Sequence, residues 1–242
     1  MMITAMCWLY RVTENEQYLI SAKQAQNFIL TNLCERNTLY ASYREGKRSG
    51  KGFLDDYAYE IFSLLALYEA TLEENYLNLA KQFCKKTIIE FWDEEEGGFF
   101  LYGKENEQLI MRPKETYDGA VPSGNSIMAY NLVQLSLLEG EEKYSEILEK
   151  HLLFMSRESK QYPVGHAMFL TALLDFLEQP EKVVIVVKEE ADLNHFSCKV
   201  SLNTVIKILK ESTKEYPLKN EKTTYYVCKG HTCQPATNEI NS

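Results

Sequence analysis

Two kinds of apolar run alternate along the chain. Residues 57–68, "YAYEIFSLLALY", contain only Glu60 and Ser63 as clear polar breaks. A helix apolar around nearly its whole circumference is buried on all sides. The second kind is amphipathic: Tyr76, Leu79, Ala80, Phe83, Cys84, Thr87, Ile88 and Phe91 recur at i, i+3 and i+4, with Lys81, Lys85 and Lys86 between them. That helix keeps one face in solvent. The pair occurs three times, in "MITAMCWLYRVTENEQYLISAKQAQNFI", "YAYEIFSLLALYEATLEENYLNLAKQFCKKTI" and "SIMAYNLVQLSLLEGEEKYSEILEKHLLFM", with Tyr18, Tyr76 and Tyr144 spaced 58 and 68 residues apart. Such self-similarity marks a repeated supersecondary unit. It predicts an inner layer of buried helices and an outer layer of surface helices. A further apolar run, "HAMFLTALLDFL" at 166–177, reads as a fourth inner helix without an outer partner.

The inner-to-outer turns are short and acidic, as in "EATLEEN" and "EGEEK". The outer-to-inner connections are long, at 35–54 and 93–122, with a shorter one at 157–164. Their "LYASYREGKRSGKGF" and "GGFFLYGKENEQLIMRP" read as aromatic hairpins. All of these connections enter the starts of inner helices, so they share one face. From about residue 181 the pattern changes to "VVIVV" (183–187), a buried strand, "SLNTVIKILKE" (201–211), an amphipathic helix, and "TTYYVC" (223–228), a second strand. The expected organisation is a mainly α segment over 1–180 and a small β-α-β appendage over 181–242.

Charge follows the same division. Residues 1–181 hold 17 basic and 28 acidic side chains, net −11, and 182–242 hold 9 and 7, net +2, giving −9 in all. That balance disfavours a nucleic-acid groove or an anionic membrane as partner. No run reaches the ~18 apolar residues of a membrane span. The first residues lack the basic start and small-residue cleavage site of a signal peptide, so a cytoplasmic protein is expected. Six scattered cysteines (Cys7, Cys34, Cys84, Cys198, Cys228, Cys233) then read as reduced thiols. In "CKGHTC" the spacing of Cys228 and Cys233 around His231 predicts neither a structural zinc site nor an obligatory disulfide. The chain carries no Walker loop, Gly-x-Ser-x-Gly or Cys-x-x-Cys, and no cofactor is expected.

The starts of the inner helices hold the candidate chemistry. Their unpaired N–H groups and positive dipole ends point one way. "FLDDYA" places Asp55, Asp56 and Tyr57 there; "TYDGAVPSGNS" places Tyr117, Asp118, Ser123 and Asn125; "YPVGHA" places Tyr162 and His166. Asp55, Asp56 and Ser123 are also good helix caps, taken singly. Capping does not, however, require aspartate, aspartate and histidine at three successive helix mouths. Paired carboxylates in a semi-enclosed site have their pKa values driven apart, one acting as acid and one as base. Asp56 and Asp118 are the candidate acid/base pair, His166 a second base or orienting group. Asp55, Tyr57, Tyr117, Ser123 and Asn125 are candidate substrate-binding residues, and Pro122 and Gly124 shape the turn.

"GFLDDYAYEIFSLLALYEAT", "YDGAVPSGNSIMAYNLVQLS" and "YYVCKGHTCQPATN" resemble, in the same order, the C-terminal part of the YyaL / spermatogenesis-associated protein 20 family. The matching positions are Leu54 to Ala58, Pro122 to Ser126 and Tyr226 to Pro235. The resemblance implies part of a six-hairpin (α/α)6 toroid, similar to N-acylglucosamine 2-epimerases and six-hairpin glycosidases, with a pocket for a sugar-like substrate. It also implies a thioredoxin-like domain that this sequence does not contain. Three and a half hairpins leave such a ring incomplete, so self-association or a complementary N-terminal half is expected. A non-catalytic interaction module is the alternative.

Overall fold

A computed structural model describes residues 1–106, 110–140, 144–230 and 232–239. Helix α1 (Met2–Thr13) turns through the left-handed Glu14 into α2 (Glu16–Phe28), which Asn15 caps by accepting the Gln17 N–H at 3.0 Å. A π-helical turn, Ile29–Leu33, widens the end of α2 and leads into strands β1 (Cys34–Glu35), β2 (Thr38–Arg44) and β3 (Lys47–Lys51). The expected first hairpin therefore forms. Its central residues Glu45 and Gly46 both have positive φ, 52° and 79°, the backbone that a two-residue turn requires to match strand twist. The second expected hairpin does not form among the described residues. Residues 97–113 make a loop tied by a Trp92–Phe99 bridge and by Leu101 N–H donating to the Pro113 carbonyl, with 107–109 outside the described residues.

Helices α3 (Leu54–Thr71) and α4 (Glu74–Phe91) form the second pair, α5 (Gly124–Glu139) and α6 (Ser145–Ser159) the third, and α7 (Ala167–Glu178) follows. Most of the "EGEEK" turn before α6 lies outside the described residues. Packing matches the two kinds of run. Nearly every residue of α3 and α5 is buried, whereas α4 and α6 bury single stripes such as Leu77, Ala80, Phe83, Cys84 and Thr87. The inner helices stand in a row, α1 against α3, α3 against α5, and α5 against α7. Ile61, Leu65, Ile127, Leu132 and Phe169 are central members of the core that joins them.

The C-terminal part departs from expectation. The segment 201–211 is not a helix; it contains strand β5 (Val205–Leu209), parallel and in register with β4 (Lys182–Val186). "VIKIL" satisfies helical and alternating periodicity alike. Its β-branched residues complete the flank of β4, which is buried from Val183 to Val186. The crossover from β4 to β5 consists of two 3₁₀ turns, at Glu190–Leu193 and Phe196–Lys199. Strands β6 (Thr224–Lys229) and β7 (Thr232–Cys233) complete a sheet of order β5-β4-β6-β7.

That sheet is fastened to the C-terminal ends of the inner helices. The buried Arg11 guanidinium pairs with Glu69 at 3.2 Å and donates to the carbonyls of Ser197 and Ser201, while Tyr68 Oη donates to Ile206 O. The opposite end, where the inner helices begin, is left for the connecting loops. The cysteine expectation is also corrected: Cys228 and Cys233 are directly opposed on β6 and β7 and form a disulfide. Facing each other across the β6–β7 ladder at a sequence separation of 5, their side chains come together. Cys7, Cys34, Cys84 and Cys198 take part in no disulfide among the described residues, and His231 lies outside the described residues. Among the described residues no helix is long and apolar enough to cross a membrane.

Candidate functional site

The three expected mouths do converge, but their polar groups are employed differently. Asp56 sits in the first turn of α3 and its carboxylate accepts the Phe53 N–H at 2.8 Å. Asp55 projects toward α5: a Cβ on Gly124 would come within 2.3 Å of Asp55 Oδ1 and 2.9 Å of Leu54. Glycine is therefore needed at 124 for the close approach of two helix starts. Burial raises the pKa of both aspartates, opposed by the Gly124 N–H at Asp55 and by the Phe53 N–H at Asp56. Asp55 Oδ1 is buried without a hydrogen-bond partner among the described residues.

Asp118 joins two helices. One oxygen accepts the Ser123 N–H at 2.9 Å and the Ser123 hydroxyl at 3.3 Å; the other accepts the Met168 N–H at 2.8 Å. A carboxylate at the N-termini of both α5 and α7 opposes their positive dipole ends. Ser123 caps α5 by accepting the Ser126 N–H at 3.1 Å. Asn125 is fully buried. Its amide accepts from Phe99 N–H and donates to the carbonyls of Phe99 and Glu115, at 2.8, 2.9 and 2.8 Å, latching the 93–122 loop. Tyr57 lies inside the core rather than on the rim, packed on Phe83 and Phe91, with its hydroxyl accepting the Leu39 N–H. Tyr117 is on the rim, 56% exposed and stacked on Tyr162. His166 is buried, its Nδ1 bonded to the Tyr162 carbonyl and its Nε2 without a partner among the described residues.

These placements change what Asp118→Asn reports. An amide would present one acceptor and one donor where both oxygens now accept backbone N–H groups. The substitution is expected to lower stability by roughly 1–3 kcal/mol through loss of charge-assisted bonds. Urea unfolding checks this, and an unchanged midpoint would show that the clamp contributes nothing.

Beside Asp56 lies an open cavity of about 600 Å³ bordered by α1, α2, the π turn, β2 and the first half of α3. Phe28, Ile29, Leu33 and Leu39 give it apolar walls, while Asp56, Tyr59 and Glu60 supply polar edges. Tyr59 Oη donates to the Pro122 carbonyl, linking this cavity to the loop before α5. Burial, reinforced by Asp55 and Asp118, pushes the Tyr59 phenol up to about 12, so it remains a donor. Glu60 was visible in the sequence only as an interruption of an apolar run. Among the described residues no group of three or more His, Cys, Asp or Glu is placed to hold a metal ion.

The mainly α fold is shared with solved structures of carbohydrate-acting enzymes. The chain is similar to the GH76 alpha-mannanase BT2949 of Bacteroides thetaiotaomicron, with a TM-score of 0.56 and 17% identity over 72% of this chain and 49% of that one. It is also similar to cellobiose 2-epimerase from Bacillus thermoamylovorans, with a TM-score of 0.52 and 18% identity over 62% and 41% of the two chains. At such identities the likeness is one of fold.

In sequence, the chain's curated homologues include spermatogenesis-associated protein 20 of Rattus norvegicus, 34% identical over 135 residues, and of Homo sapiens, 33% identical over 135 residues. Each match covers 55% of this chain and 17% of the relative. An uncharacterized protein of Caenorhabditis elegans, B0495.5, is 29% identical over 179 residues, 71% of this chain and 24% of its own. The chain thus spans about a fifth of the length of these relatives. No protein-family model matches it. The resemblance carried by the three motifs is borne out.

Proposed function

We propose that the chain is a segment of an (α/α)6 toroid whose mouth and adjoining cavity bind a sugar or sugar-like substrate, for isomerisation, epimerisation or glycoside hydrolysis. On this reading residues 1–180 form the toroid segment and 181–242 a separate small module. The observation that carries it is the placing of Asp55 and Asp118 near Tyr59, which together with Asp56 edges a cavity with apolar walls. Apolar surface packs against the face of a sugar ring, and the few convergent polar groups orient its hydroxyls. Asp56 is the acid/base carboxylate, with His166 a second base and Tyr117 a rim contact. Asp55, Ser123 and Asn125 shape the mouth, Tyr57 supports it from the core, and Asp118 holds α5 and α7 in place.

A panel of monosaccharides, amino sugars and uronic acids tests this by thermal shift, on the chain and on a full-length relative. One class is expected to raise the melting temperature. Asp56→Asn keeps an acceptor for the Phe53 N–H, so it should leave the fold within ~1 kcal/mol while removing turnover by roughly 10²–10⁴-fold. A panel without effect on either protein would favour the second reading, a non-catalytic interaction module. The exposed apolar flanks of α1 and α7 favour that alternative.

A further inference from the structure

We propose that Glu60 is the proton-exchanging group of the cavity between α1, α2 and α3, and that this cavity takes a neutral polyhydroxy ligand with an apolar face. This rests on the sugar reading and adds to it a residue and a subsite. Glu60 is, with Ser63, one of two polar breaks in the apolar run 57–68 of α3, and it is only 4% exposed. Burying a carboxylate is costly unless it is paired or protonated. The other inward-facing glutamates are paired: Glu69 with Arg11, and Glu90 with Lys86. Glu60 instead receives a single short hydrogen bond from the neutral amide of Gln26, on Oε1.

Among the described residues no side-chain cation forms an ion pair with it. The groups facing it are the Gln26 amide from α2, the Cys34 thiol from β1, Asp56, Tyr59 and Ser63 from α3, and the Met1 amino group at the start of α1. Of these groups among the described residues, the Met1 amine carries positive charge, and burial lowers its pKa. Asp56 stands one turn before Glu60 on the same helix face, since residues four apart are neighbours. Two carboxyl groups thus edge one cavity whose remaining walls include Phe28, Ile29, Leu33 and Leu39. Burial pushes Glu60 up to about 7, with the Gln26 bond opposing. Near neutral pH it therefore exists in both forms, donating a hydrogen bond to a ligand oxygen when protonated and accepting one from a ligand hydroxyl when ionised.

Glutamate labelled with carbon-13 at the carboxyl carbon reads this directly, the Glu60 signal being identified by its loss in Glu60→Gln. The expected midpoint lies near 7, displaced by at least half a pH unit when the sugar selected by thermal shift is added. Because the fold favours the protonated form, its stabilising effect is full below about pH 4.5 and is lost as pH rises through about 7. Glu60→Gln keeps a neutral partner for Gln26 and should flatten that decline, apart from a residue due to Glu69, which burial also raises to about 7. A Glu60 midpoint in the ordinary range near 4.5 would overturn the inference. A sugar that stabilises the protein without moving the midpoint would overturn it too, while leaving the sugar reading intact. A panel in which nothing binds would sink both.

Discussion

Size-exclusion chromatography with light scattering is expected to find the isolated chain above its monomer mass, and a hydrophobic dye to bind it strongly at low concentration. The reason lies at the two ends of the row of inner helices. α3 and α5 each have an inner helix on both flanks; α1 and α7 each have one. On α1 the side chains of Met2, Leu9 and Val12 are 70%, 41% and 67% exposed, and on α7 those of Leu170, Leu174 and Leu177 are 37%, 53% and 68% exposed. The α7 trio recurs at i, i+4 and i+7, the spacing of a stripe made for burial. Contiguous apolar patches above a few hundred Å² mark interaction surfaces or aggregation hazards. At ~25 cal/mol per Å², ~400 Å² of such surface corresponds to roughly 10 kcal/mol, comparable with the net stability of a domain. The double substitution Leu174→Glu, Leu177→Glu should shift the population toward monomer and reduce dye binding without lowering the melting temperature, since neither side chain is in the core. A wild-type monomer at high concentration with little dye binding would falsify the open-edge argument.

Periodicity made the inner and outer helices legible because the physical demand on each is uniform along its length. A helix enclosed by neighbours must be apolar throughout, and one facing water needs only a stripe. The first hairpin was legible for a similar reason, since the chemistry of its turn is local. Residues 201–211 were misread because five residues of β-branched and aliphatic character fit both periods, and a parallel strand is decided by the neighbour it joins, here β4. The Cys228–Cys233 pairing depends on the register of β6 with β7, which spacing alone does not reveal.

The site shows the same boundary between local and long-range information. The gathering of Asp55, Asp56 and Asp118 follows from helix starts sharing one face. That Asp118 uses its second oxygen on Met168, fifty residues away, does not. Tyr57 points into the core instead of the mouth because its neighbour in space is Leu39, at the start of the hairpin. Glu60 was marked in the sequence by its contradiction of an apolar run. Only the packing of α2 against α3 shows that its partner is neutral and that a cavity lies beside it.

Asn125→Ala is expected to lose roughly 3–5 kcal/mol of stability and to free the loop that carries Tyr117 and Asp118. The Asn125 amide makes three bonds to the loop backbone, to Phe99 N–H, Phe99 C=O and Glu115 C=O. Phe99 is itself fully buried, so water does not replace the two bonds made to it, whereas Glu115 is exposed. Each buried group left without a partner costs ~1–3 kcal/mol. The lost side-chain volume adds to this, because His151, bonded to the Asn125 carbonyl, and Phe99 are packed around the same position. Asn125→Asp separates the hydrogen-bond role from simple loss of volume. The introduced carboxylate still accepts from Phe99 N–H but turns an acceptor toward two carbonyls, which disfavours its charged form. Its pKa should therefore rise in the folded protein, making this variant more stable at pH 5 than at pH 8 relative to wild type. Denaturant unfolding at the two pH values, with limited proteolysis of residues 93–122, reads both effects. If Asn125→Ala loses less than ~1 kcal/mol and Asn125→Asp shows no pH-dependent recovery, the loop is held by its other ties. Chief among those is the ion pair of Lys114 with Asp93 at 2.6 Å, and the shape of the mouth would then rest on that pair rather than on α5.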